Sequence, residues 1–148
     1  MQSKYNFIKL QKVILRNFSL YKRKGKIYEV NEDINEGVYC LAGANGLGKT
    51  TFLNSINYCL TGVVLEPEKE VYAPDEIVTA NKKYTERYFY GRIGKKEEDK
   101  SEIEILFKVN EKYFRIVRGF FKREELRLLE IYSTNGDKKV SHFKTKNE

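Results

Sequence analysis

Residues 37–62, "GVYCLAGANGLGKTTFLNSINYCLTG", decide the fold. The stretch 37–43 is a short apolar run bounded by glycines, the pattern of a strand buried on both faces, so a strand is predicted there. Further on, Phe52, Leu53, Ile56, Cys59 and Leu60 fall on one helical stripe, with Gly62 as its C-terminal stop. Between strand and helix stand Gly43, Gly48, Lys49 and Thr50 in the spacing G-x-x-x-x-G-K-[ST]. A loop so poor in side chains can wrap a polyphosphate with its backbone N–H groups, and the start of the helix adds a positive dipole end. The binding segment is therefore Gly43, Ala44, Asn45, Gly46, Leu47, Gly48, Lys49, Thr50 and Thr51.

The chemistry assigns roles within it. A flexible stem with a point charge suits Lys49 to follow the β- and γ-phosphates during phosphoryl transfer, which makes it the candidate catalytic residue. Thr50 is the expected hydroxyl ligand of Mg²⁺, and Thr51 is expected at the α-phosphate. ATP and Mg²⁺ are the predicted cofactors.

Outside this motif the chain has 148 residues, enough for one domain. Its 41% hydrophobic and 33% charged residues exclude a disordered chain, and no apolar run approaches the ~20 residues of a membrane helix. No membrane partner and a cytoplasmic location are expected. The net charge is +7. Up to residue 28 there are eight Lys or Arg and no acidic residue, and Lys22, Arg23, Lys24 and Lys26 crowd a turn at Gly25. They form the candidate nucleic-acid contact, with Lys82, Lys83, Lys95 and Lys96 as a second basic cluster. Cys40 and Cys59 sit in apolar contexts and are expected in the core; with a single histidine, His142, a His/Cys metal site is not expected.

Strands are predicted over 8–16 and 26–30, and a short helix over 75–90 follows an irregular stretch with Pro67 and Pro74. From residue 101 the period is two: Ile103, Ile105, Phe107 and Val109 share a face, a turn at 110–112 follows, and 113–121 runs back. A third strand over 126–132 and an Asn135-Gly136 turn complete an antiparallel meander, before a polar tail expected to fray over 135–148.

Three phrases carry a family resemblance. "VILRNFSLY" (13–21), the loop with its helix, and "YFRIVRGFF" (113–121) are similar to the N-terminal lobe of SMC-like ABC-class ATPases, the group of SbcC, RecN and RecF. Leu15, Asn17 and Phe18 match its L-x-N-F phrase, and Phe114, Ile116 and Arg118 match its Y-x-I-x-R phrase with Phe in the Tyr place. The likeness spans residues 8–131. It implies an α/β fold, a P-loop NTPase (ABC-type head) N-lobe with a mixed sheet around the P-loop helix plus an antiparallel β-meander. It further implies partners: a C-terminal lobe of the same chain, a second head in a homodimer that sandwiches two ATP, double-stranded DNA and a nuclease subunit.

Asn45 then stands near the γ-phosphate or the partner head. The position where that family carries a nucleotide-holding Arg or Lys is Ser19 here, and Tyr21 stands about where transporter ATPases have an adenine-stacking tyrosine. Those transporters need a glutamine some forty residues past the loop; this chain has only Gln2 and Gln11. Neither a Walker B strand nor a signature motif is present: "LRLLEIY" offers only Glu130, which reads as an outward strand residue, and Arg118 reads as a partly buried ion-pair residue. The expected whole is an ATPase acting in repair, chromosome maintenance or defence. Two alternatives stay open, a nucleotide-gated binding module and the ATPase part of an overcoming-lysogenisation-type nuclease.

Overall fold

The alternation that begins at residue 102 organises the whole domain. A computed structural model describes residues 7–27, 29–35, 37–69, 76–98, 100–121, 126–133 and 138–141. The elements are β1 (Lys9–Arg16), a 3₁₀ turn (Ser19–Tyr21), β2 (Lys22–Arg23), β3 (Lys26–Ile27), β4 (Val30–Asp33), α1 (Lys49–Thr61), α2 (Glu76–Tyr88), β5 (Glu102–Val109), β6 (Lys112–Gly119), β7 (Leu126–Ser133) and β8 (Lys138–Ser141). The Asn135-Gly136 turn, His142, Pro74 and residues 142–148 lie outside the described residues, while residues 138–141, expected to fray, instead pair with β7 as β8.

Six strands form one sheet in the order β4-β1-β5-β6-β7-β8, and β2 pairs with β3 in a separate hairpin. Every pairing between these strands is antiparallel. The expected mixed sheet is therefore corrected to an antiparallel one among the described residues. Asn110, in the left-handed conformation at φ 53°, lets β5 fold straight back onto β6, and hairpin connections of this kind produce only antiparallel neighbours.

Register divides the residues into two faces. Val13, Ile105, Ile116 and Leu129 are cross-strand partners, as are Leu15, Ile103 and Arg118. This face packs on α1, through the fully buried Ser55, Tyr58 and Cys59. Burial pushes the Cys59 thiol up to about 12 against the opposing charge of Arg118. Phe18, Tyr58, Phe89 and Phe120 close the core in edge-on and stacked contacts 4.6–6.3 Å between centroids.

The helix bounds follow from their caps. Gly62, at φ 82°, returns its N–H to the Tyr58 carbonyl at 2.8 Å and ends α1 where the sequence predicts. Arg118 donates through Nε to the Cys59 carbonyl at 3.0 Å, so it serves the last turn of α1. The predicted helix over 75–90 is α2, held by polar side chains: Asn81 accepts from the Glu66 N–H and Thr85 from the Val64 N–H, both at 2.8 Å.

The predicted strand over 37–43 is absent. Residues 38–44 follow an irregular exposed path after Ile34 makes its last bond to the sheet, from its N–H to the Gln11 carbonyl. A strand needs a neighbour to satisfy its backbone, and among the described residues none lies beside it. Val38, Tyr39 and Leu41 are consequently exposed, and Cys40 is a surface thiol, correcting its placement in the core. No described helix is long and apolar enough to cross a membrane.

Candidate nucleotide site

Residues 43–51 bend into a loop that opens directly into α1. Gly48 is the N-cap at φ 86° with no side-chain cap, and the first intrahelical bond runs from the Phe52 N–H to the Gly48 carbonyl at 2.8 Å. The N–H groups of the first turn thus have no intrahelical acceptor. A Cβ on Gly48 would lie 2.8 Å from Leu20 Cδ2 and 3.4 Å from the Tyr21 ring. At Gly46, φ 84°, a Cβ would meet nothing within 4 Å and would project into open space.

Lys49 folds back over the loop, donating through Nζ to the Gly43 carbonyl at 2.6 Å and the Ala44 carbonyl at 2.8 Å. Its ammonium is thereby held across the mouth of the loop. Thr50 is exposed and Thr51 is buried. Asn45, Gly46, Gly48, Lys49, Thr50 and Thr51 line one cleft of about 510 Å³. Leu47 is exposed, and Gly43 and Ala44 contribute through their carbonyls to Lys49.

The cleft also contains residues that the motif does not announce. Leu20 lines it, as do Tyr90, Gly91 and Arg92 from the turn after α2. Arg92 stacks on the Tyr88 ring at 4.2 Å to the centroid and donates through Nε to Thr51 Oγ1 at 3.3 Å. Tyr90 packs on Phe121, with centroids 5.5 Å apart. Arg92 belongs to the run "YFYGRIG" (88–94), and only the return of the chain across α1 brings it to the loop.

Two residues before the loop take other roles than their positions suggest. The Tyr21 hydroxyl donates to the Gly48 carbonyl at 3.1 Å and its ring packs on Phe18, so it braces the loop. Burial, with a smaller contribution from Tyr88, pushes its phenol up to about 12. Ser19 Oγ accepts from the Gly94 N–H at 2.7 Å, while the Leu20 N–H reaches the Arg92 carbonyl at 2.9 Å. Ser19 therefore holds the 90–94 turn in place.

The basic cluster sits on the β2-β3 hairpin. Lys24 and Gly25 both have positive φ, 48° and 78°, the geometry of a type I′ turn, and Lys24 and Lys26 are exposed at its tip. Lys82, Lys83, Lys95 and Lys96 are exposed as well.

The sheet face away from α1 is charged. Glu104 is buried between Arg115 and Arg16; its Oε1 accepts from Arg115 Nε, and its Oε2 lies 2.7 Å from Arg16 Nη1. Burial alone would raise the Glu104 carboxyl, but hydrogen bonds and charge from Arg115 and Arg16 outweigh it and hold the group below its ordinary range. Glu130, on that same face and buried, takes Arg115 at 3.2 Å and the Tyr132 hydroxyl. It faces away from the core as expected, but it is enclosed rather than exposed.

The profile of a protein family described as an AAA domain matches residues 12–147. No curated protein and no solved structure matches. The chain belongs to this family of P-loop ATPase domains, found in SMC-like proteins, whose members generally bind ATP with Mg²⁺.

Proposed function

We propose that the protein is the nucleotide-binding lobe of an SMC-like, DNA-associated ATPase of the SbcC, RecN and RecF kind. The observation that carries this reading is the cleft itself: uncapped N–H groups at the start of α1, open space over Gly46, and an ammonium poised on the loop carbonyls. These residues fit a polyphosphate. Lys49 would exchange its two carbonyl partners for β- and γ-phosphate oxygens, Thr51 would stand at the α-phosphate, and Asn45 would face the γ-phosphate or a second head. Among the described residues no group of three His, Cys, Asp or Glu is placed to hold a metal, so Mg²⁺ would rest on the phosphates and Thr50. When bound, it would neutralise the charge that builds during phosphoryl transfer.

Other parts of the reading follow from surfaces left open. Val38, Tyr39 and Leu41 form an exposed apolar stretch that pairs with no strand among the described residues, which suits strand addition by a C-terminal lobe of the same polypeptide. The basic hairpin suits phosphates of double-stranded DNA. Head-to-head dimerisation, a nuclease partner, and service in repair, chromosome maintenance or defence belong to the same proposal.

A nucleotide-gated binding module is the second reading, favoured by the lining of the cleft, which among the described residues includes no carboxylate to orient a water. A Walker B glutamate supplied by another lobe or partner separates the two, and metal-binding carboxylates downstream would mark the overcoming-lysogenisation type. The test of the shared core is Lys49→Ala, titrated with a fluorescent ATP analogue in Mg²⁺. Loss of binding with an unchanged circular dichroism spectrum is expected; unchanged affinity would overturn the nucleotide assignment.

A further inference from the structure

Among the described residues, the cleft holds one cation that the phosphate-loop motif does not account for. Arg92 reaches it from the turn after α2, separated from Thr51 by 41 residues of chain. Its guanidinium carbon sits 4.2 Å over the centroid of the Tyr88 ring, and the group gives one N–H to the Tyr88 carbonyl and one to Thr51 Oγ1. Guanidinium has five N–H donors, so donors beyond these two remain on a side chain that lines the cleft. None of its hydrogen bonds goes to a carboxylate among the described residues, in contrast to Arg16, Arg115 and Arg127 on the far face of the sheet.

The turn that carries it is built, not loose. The Arg92 N–H bonds the Phe89 carbonyl at 3.1 Å, its carbonyl accepts from Leu20 at 2.9 Å, and Gly94 is tied to Ser19 at 2.7 Å. Ile93 beside it is buried. A planar cationic fork fixed by stacking and backbone bonds is pre-organised for an oxyanion. Its neighbour Thr51 lies on the first turn of α1, two residues beyond Lys49, whose ammonium is engaged by the 43–44 carbonyls.

We propose that Arg92 is a ligand for the α-phosphate of a bound nucleoside di- or triphosphate, with Thr51 Oγ1 as its partner until the nucleotide arrives. This rests on the nucleotide reading of the cleft. An α-phosphate contact is common to ADP and ATP, so Arg92 supplies affinity for both and does not distinguish them.

The experiment titrates the 148-residue protein, Lys49→Ala, Arg92→Gln and Arg92→Lys with fluorescent ADP and ATP analogues. Arg92→Gln is expected to weaken both by the same factor, about tenfold, as for a lost charge-assisted hydrogen bond. Arg92→Lys, which keeps the charge without the fork, is expected to weaken both by less. Wild-type affinity in Arg92→Gln beside a weakened Lys49→Ala overturns the role of Arg92 alone. Wild-type affinity in Lys49→Ala overturns the site itself. Selective loss of ATP binding in Arg92→Gln overturns the α-phosphate assignment. Should Arg92→Gln fail to fold, phenylglyoxal modification of the wild-type protein, mapped by mass spectrometry, decides: ADP must slow the reaction at Arg92, and an unchanged rate overturns the proposal.

Discussion

The hydroxyl of Tyr21 donates to the carbonyl of Gly48 at 3.1 Å, joining the end of the first strand's extension to the hinge between phosphate loop and helix. Gly48 also accepts the first helical bond, from Phe52, so one carbonyl ties three segments together.

Tyr21→Phe removes that bond and keeps the ring. A loss of about 1 kcal/mol is expected. For a chain of this length that is a fall in melting temperature of roughly 3 °C. Because burial raises the phenol to about 12, the folded state favours the neutral form. Its contribution is complete below pH 10.0 and is lost as pH rises towards 12. Denaturation between about pH 9 and 12 should therefore show a flatter decline for the variant. Identical slopes would contradict the burial of the hydroxyl.

Gly48→Ala tests the loop's backbone. A left-handed alanine costs about 1–2 kcal/mol, and its Cβ must also displace Leu20 Cδ2 from 2.8 Å. Urea denaturation should register the loss. Nucleotide titration should register a larger one, since displaced Leu20 and Tyr21 both border the loop.

Two thiols should behave oppositely. Cys40 is exposed, whereas Cys59 is fully buried with its ionisation pushed up to about 12. With Ellman's reagent at about pH 8, one fast thiol is expected in the native protein and a second only on denaturation. If residues 38–44 were instead packed as a strand, Cys40 would be slow as well.

Glu104→Gln removes the carboxylate shared by Arg115 and Arg16. A loss of about 1–2 kcal/mol at neutral pH is expected, below the ~3–5 kcal/mol of a fully enclosed pair because both arginines are partly exposed. Since the Glu104 carboxyl is held low, its contribution is present above pH 4.5 and disappears as pH falls through the lowered value. Acid unfolding of the variant should be shallower below pH 4.5, and parallel curves would count against the pairing.

Reversal of Lys22, Arg23 and Lys24 to Glu addresses the hairpin. Duplex DNA binding should weaken, and the slope of log K against log salt should shrink by about 0.9 for each phosphate that the hairpin no longer neutralises. Unchanged affinity and slope would leave the hairpin as a solvated surface.

Sequence by itself determined the parts whose signals are local. The glycine and lysine spacing of 43–50, the stripe of α1 with its Gly62 stop, and the alternation of 102–119 each report a backbone conformation or a face, and these need no distant partner. Tertiary structure alone decided the rest. Residues 37–43 carry strand chemistry but have no described strand to pair with, and hydrogen-bond pairing is a property of two segments. The same is true of Arg92: nothing in its neighbourhood distinguishes it from a surface arginine, and its place in the cleft depends on Ser19 and Leu20 bonding a turn more than 70 residues away. Such bonds close long loops, so no window of local sequence contains them.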